Sequence, residues 1–476
     1  MGGDDGQDRK PAQAADKGLG KLGRRDVLRG LSTVPALGLF GYAWNQQRKY
    51  QHGNAEEAAA SPAGGSDVQP INIALLGAGA EGQVLTDAML RIPGLRFRAV
   101  CDIWTEYNQK RVVNQLGKFN HVVNGYEDYR EMLDKERELD AVVIATPDFW
   151  HSQHTVDCLK AGKHVYCEKE MSNTLEGARA MVAAARETGK LLQIGHQRRS
   201  NPRYLHCYEK LLGEAKLLGR VVTVSGQWNR AVAPDLGAPA RYAIPDARLK
   251  QYGFKDMHQF RNWRWYKGLG GGPIVDLGSH QIDIYTWFLG ANPSAVMASG
   301  GQLYYDPATH EWYDTVMAVY DYDTPAGPVK AFYQTQTTNG SQGYFETFMG
   351  DQGTLLISES ETYGAKLYRD PNAPAWDEWV QKGYISAPKL QEMKEKTEGV
   401  TDVRESVSPD EHKVSIVLRD PYHQPHLQNF FDAVRGNATL HCPAEVGYES
   451  AVGVLKVNEA IEAKTRLTFG PGDFRI

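Results

Sequence analysis

Asp276, His280 and Asp283 stand at i, i+4 and i+7 in the stretch GGGPIVDLGSHQIDIYTWFLG. On a helix that spacing places all three on one face. A histidine with a carboxylate one turn away is a general acid/base arrangement: the carboxylate orients the imidazole, which takes a hydroxyl proton as hydride leaves the same carbon. A metal site is the rival reading, but no further ligand cluster stands out along the chain, so no metal is expected. Helix capping and packing would use the same residues. Lys169, in CEKEMSNT, falls at the mouth of a predicted strand. There it either hydrogen-bonds a substrate hydroxyl or pairs on the surface with Glu168 or Glu170.

The elements that must position these groups begin at Ile71. An apolar run meets Gly77, Gly79 and Gly82 in the spacing G-x-G-x-x-G, and a helix-like segment then leads to a second apolar run ending at Asp102. Gly77 permits a tight turn, Gly79 lets a pyrophosphate approach the backbone, and Gly82 lets the helix pack against the strand. Backbone N–H groups of the turn, Glu81 among its residues, would hold the phosphates, and Asp102 the ribose hydroxyls. After Asp102 no Arg or Lys comes before Lys110, so a 2′-phosphate lacks a local partner and NAD is expected over NADP.

Strands and helices then alternate, which implies a parallel, doubly wound α/β sheet whose ligands bind at the carboxyl ends of its strands. Thr146, Pro147, Trp150, His151, Glu168 and Lys169 fall at such ends. Past residue 205 the runs become β-rich with little helix between them, as in a largely antiparallel sheet. The expected division is a leader and linker over 1–69, a dinucleotide-binding domain over 70–198 and a substrate-binding domain over 199–476.

The leader carries adjacent Arg24 and Arg25 and then an uncharged stretch from Gly30 to Trp44. That layout suggests export through the twin-arginine machinery, with a periplasmic or membrane-tethered product. Free nicotinamide cofactor is scarce outside a cell, so a dinucleotide fold joined to an export signal predicts tightly bound NAD. The net charge of -5 and the absence of a basic stripe argue against a nucleic-acid partner. Five scattered cysteines without C-x-x-C spacing are expected as buried thiols.

The motifs GAGAEG, TPDFWH, AGKHVYCEKE, GHQRRSNPRY, GGGPIVDLGSHQID and HLQNFFDAVRG occur in one order. In these the chain, over roughly residues 70 to 465, resembles the glucose-fructose oxidoreductase and inositol dehydrogenase family (Gfo/Idh/MocA). The resemblance implies an N-terminal Rossmann domain, a C-terminal α/β domain with an open, mostly antiparallel sheet, and homo-oligomers packed through that sheet. It also implies that Lys169, Asp276 and His280 are catalytic, and it puts Arg199 near the rim of the site. Tyr204, Trp263, Trp265 and Asp283 are further candidates for substrate contact. Where the family has proline after Glu-Lys, this chain has Glu170. The expected activity is oxidation of a sugar or glycoside hydroxyl. Redox-neutral glycoside cleavage, with Glu170, His258 or Tyr204 as second base, is one alternative, and a non-catalytic sugar-binding protein is another.

Overall fold

A computed structural model describes residues 68–389 and 409–476. The leader with Arg24 and Arg25 lies outside the described residues, as does the middle of the charged stretch between 370 and 420. Within them the first 127 residues build a parallel sheet from β1 (Ile71–Leu76), β2 (Leu95–Cys101), β3 (Asn124–Tyr126), β4 (Ala141–Ile144), β5 (His164–Cys167) and β6 (Leu192–Ile194). The spatial order is 3-2-1-4-5-6, with every neighbouring pair parallel. β1 and β4 are buried along almost their whole length, as expected of strands covered by helices on both faces. The order reverses between β1 and β4, which opens a crevice above their carboxyl ends.

The second sheet has nine strands: β7 (Val221–Asn229), β8 (Pro293–Gly301), β9 (Thr315–Thr324), β10 (Gly327–Gln336), β11 (Tyr344–Gly350), β12 (Gly353–Ile357), β13 (Ala365–Arg369), β14 (Asp410–Lys413) and β15 (Leu467–Thr468). Among the described residues only β7 and β10 pair in parallel; the other pairs are antiparallel. β9 and β10 alternate buried and exposed residues, so one face is packed and the other is open. Met297, Met317 and Val319 are exposed on β8 and β9.

Against β7, β9 and β10 of the second sheet runs the Gly272–Leu289 helix, in which all but a few side chains are buried. Its close seating is a glycine effect. A Cβ at Gly278 would lie 2.9 Å from the Tyr333 ring, and one at Gly272, where φ is +73°, would lie 2.5 Å from Trp312. An aromatic layer joins the halves: Ile103, Trp104, Tyr107 and Phe149 of the first pack against Tyr242, Phe254, Phe260 and Trp263 of the second.

One helix departs from the expected division. Gln424–Val434 comes late in the chain, yet Leu427, Phe430 and Phe431 complete the core of the first sheet with Ile73, Leu75 and Val143. The five cysteines are all buried and free.

Candidate functional site

The crevice at the β1/β4 switch opens into a cleft of about 900 Å³ that runs from the glycine turn to the Gly272–Leu289 helix. At the first end, Gly77 holds φ +96°, and a Cβ there would strike the Ala145 carbonyl at 2.6 Å. At Gly82 a Cβ would meet the Gly77 carbonyl at 2.0 Å, so both glycines are required by the turn itself. Gly79 is different: nothing lies within 4 Å of its missing side chain. That open space, at the N-terminus of the Ala80–Met89 helix, is where a pyrophosphate fits against exposed backbone. Asp102 accepts from the Ala78 and Trp104 amides at 2.7 Å each and still lines the cleft. Its remaining lone pairs can take ribose hydroxyls. The residues present therefore suit a dinucleotide.

Thr146, Pro147 and Trp150 line the middle of the cleft. Trp150 also ties the halves together, donating its indole N–H to the Tyr252 carbonyl at 3.1 Å. Glu168 approaches from the end of β5; burial, then the charge of Glu81, pushes its pKa up to about 7. Glu81 and His423 are paired at 3.2 Å, and ligand atoms of Glu81, Glu168 and His423 lie within 4.8 Å of one another. A metal could be considered there, but Tyr166 already donates to Glu168 at 3.2 Å and the Lys169 amide at 3.3 Å. The grouping reads as a hydrogen-bonded cluster at the cofactor end.

At the far end Lys169 Nζ donates to the Asp276 carbonyl at 2.7 Å and to its carboxylate at 3.3 Å. Arg264 Nε donates to the same carboxylate at 3.1 Å, and Arg230 stands 3.7 Å away. Burial pushes the Asp276 pKa up, but Lys169, Arg264 and Arg230 outweigh it and hold the group well below the usual carboxylate range. His280 lines the cleft beside Trp228, ring centroids 5.3 Å apart. Burial, then the charges of Lys169 and Arg198, hold its pKa far below the ordinary histidine value, so the imidazole is neutral. Trp228 is stacked on Tyr344 at 4.4 Å with Arg198 against both rings.

Several expectations are corrected. Among the described residues no hydrogen bond joins Asp276 to His280; the carboxylate is held by Lys169 and Arg264 instead of orienting the imidazole. Asp283 shares their helix face but lies a further turn, roughly 4.5 Å, past His280 along the axis, beyond the cleft. There it forms a buried pair with Arg199 at 2.8 Å and accepts from Ser450 at 2.6 Å. Arg199 is thus a core residue, not a rim residue. Tyr204 is buried, donating to Glu346 at 2.7 Å. His151 bonds the Glu170 and Thr146 carbonyls at 2.7 and 2.6 Å and fixes the loop rather than touching the cleft. Trp263 and Trp265 do line it.

The second-base candidates fail on position. Glu170 is buried beside the site, with Oε1 on the Met171 amide at 2.7 Å and Oε2 unpartnered, while His258 is engaged by Tyr266 and Asp235. Asp148 was not singled out by spacing, yet it lines the cleft, and burial raises its pKa to about 7 against the pull of Arg264 and Lys169. Arg230, Arg264 and Arg261 were missed for the same reason: each comes from a strand end or a short helical turn far along the chain from the glycine turn. Arg261 reaches the Trp104 ring next to Asp102, 5.4 Å from its centroid.

Residues 71–196 match the model of an oxidoreductase family with an NAD-binding Rossmann fold, and residues 210–356 match the GFO/IDH/MocA C-terminal domain. Among curated relatives, scyllo-inositol 2-dehydrogenase (NADP(+)) IolW of Bacillus subtilis is 28% identical over 49% of this chain and 55% of its own. Levoglucosan dehydrogenase of Pseudarthrobacter phenanthrenivorans is 23% identical over 63% of this chain and 73% of its own. The chain spans about half the length of the curated relatives it matches first. Among solved structures, levoglucosan dehydrogenase in complex with NADH and levoglucosan superposes with a TM-score of 0.63 at 16% identity, covering 84% of this chain and 100% of that one. At that identity the likeness concerns the fold.

Proposed function

Since the chain belongs to the Gfo/Idh/MocA oxidoreductase family, we propose that it oxidises a hydroxyl of a sugar or glycoside with a tightly held NAD. The observation that carries this reading is the shared cleft: Gly77, Gly79 and Asp102 line one end, and Lys169, Asp276 and His280 the other. A bound dinucleotide supplies the hydride acceptor. Lys169, fixed by Asp276, holds the reacting hydroxyl. His280, neutral and cleft-facing, takes its proton as the C–H bond gives up hydride. Trp228, Trp263 and Trp265 offer apolar faces to a sugar ring.

The test begins with protein purified without added cofactor, denatured and assayed for NAD(H) and NADP(H). Near-stoichiometric NAD(H), reducible in the native protein by a sugar or inositol, is the expected result. Protein that holds no dinucleotide and reduces none with any such alcohol would overturn the reading. NADP(H) in its place would point to Arg261 as the partner of a 2′-phosphate.

Redox-neutral glycoside cleavage is the second reading, favoured by Asp148, a cleft carboxyl poised near neutrality to remove the proton beside a transient carbonyl. Aglycone release without net NADH distinguishes it. We also propose export by the twin-arginine route, supported by Arg24 and Arg25; cell fractionation of a double Arg-to-Lys variant, expected to stay inside, tests it. Self-association through the open face of the second sheet is supported by exposed Met297, Met317 and Val319. A monomer in sedimentation would refute that.

A further inference from the structure

The substrate end of the cleft holds more positive charge than its own residues answer. Lys169, Arg264 and Arg230 converge on one carboxylate, that of Asp276. Among the described residues, Glu359 is paired with Arg198 at 2.9 Å, and the Asp235 carboxylate is turned to the His258 and His310 rings at 2.7 and 3.2 Å. Asp148 is pushed up to about 7 by burial and is only partly ionised at neutrality.

Two of the three cations are built as open forks. The Arg264 guanidinium lies over the Trp263 ring at 4.3 Å and that of Arg230 over Trp228 at 5.2 Å, so each rests against an aromatic face. Both line the cleft, with 44% and 50% of their side chains exposed to it. Arg264 spends one N–H on Asp276, and the nearest carboxylate to Arg230 stands at 3.7 Å. A planar, preset guanidinium is the side chain best matched to an oxyanion.

We infer that the substrate is an anionic sugar, whose carboxylate or sulfate group is received by Arg230 and Arg264 within a few carbons of the hydroxyl held by Lys169. This rests on the sugar-oxidoreductase reading and narrows it. Lys169, positioned by Asp276, is then left for the hydroxyl, and the two arginines set which ring enters and how it is turned.

The experiment is calorimetric titration of the purified holoprotein with matched methyl glycosides: glucoside against glucuronide, galactoside against galacturonide, and the sulfate ester of each neutral sugar. In at least one series the anionic member is expected to bind about tenfold or more tighter than the neutral one, the scale of one charge-assisted hydrogen bond. The advantage should shrink with added salt and largely vanish in Arg230→Gln, while Arg230→Lys retains part of it. Whether carboxylate or sulfate is preferred names the anion. Neutral sugars binding as well as or better than every anionic counterpart, or no anionic preference in any series, would overturn the inference, and this wild-type comparison stands even if the variants do not fold. Reduction of the bound cofactor is followed separately. Reduction by neutral sugars alone sinks the inference and keeps the oxidoreductase reading. No reduction by any alcohol sinks that reading, while the binding ratios still decide the charge question.

Discussion

The two ends of the cleft are built by different means. The dinucleotide end is a backbone device: Gly77, Gly79, Gly82 and Asp102 fall within one strand-turn-helix-strand unit, and their roles follow from φ angles and missing side chains. The substrate end is a side-chain device. Lys169, Trp228, Arg230, Arg264, Asp276 and His280 come from four separate segments and meet only because two sheets and a buried helix bring them together. Damage at the first end should therefore appear as lost cofactor, and damage at the second as lost rate or selectivity with cofactor retained.

The largest expected effect is on the buried frame beneath the substrate end. Arg198 pairs with Glu346 and Glu359 at essentially no exposure. Glu346→Gln leaves a buried charge short of its partner and should cost about 3 kcal/mol or more of stability, read by denaturant unfolding. His280→Ala and Lys169→Ala should each lose at least about a hundredfold in turnover, with bound dinucleotide unchanged on denaturation assay. Near-normal turnover in both would remove them from the mechanism.

Glu170→Gln sharpens the comparison through pH. Burial raises the Glu170 pKa to about 8, so the folded protein binds this proton more tightly than the unfolded chain. Stability from that source is full below the ordinary glutamate range and is lost as pH rises through about 8. The variant, which cannot ionise, should therefore gain in melting temperature relative to the parent as pH is raised from mildly acidic to alkaline. A constant difference across that range would refute the assignment. Gly79→Ala is the smallest in stability, within about 0.5 kcal/mol, because a Cβ there meets no protein atom. Its cofactor content should nonetheless fall, since the methyl group occupies the space left for phosphate. Gly77→Ala, strained by φ +96° and the Ala145 carbonyl, should lose both.

The same contrast explains what could be read from the residues alone. The Rossmann unit is local: apolar runs, glycine spacing and a terminal acid determine it within about thirty positions, and the sheet follows. His280 was legible because a helix face has a fixed relation to sequence, whereas Lys169 was marked by its place at a strand end only together with the family resemblance. Arg199 was not, since neighbouring arginines in a tight 3₁₀ turn point into different surroundings: Arg198 reaches Glu346 and Glu359, and Arg199 reaches Asp283. Asp283 showed the limit of face periodicity, which gives direction around a helix but not how far along it the cleft extends. Arg230, Arg264 and His423 carry no local signal, because only tertiary packing sets them beside Asp276 and Glu81.

The Gln424–Val434 helix gives the order of synthesis a bearing on folding. Its Leu427, Phe430 and Phe431 close a core whose other buried members all lie between Ile71 and Tyr166. A ribosome that has finished β6 at Ile194 must add 240 further residues to reach Val434. At ~5–20 residues per second that takes on the order of 12–48 s. Throughout that interval the patch of the sheet that Leu427, Phe430 and Phe431 cover stands open, and this core closes only when the late helix docks.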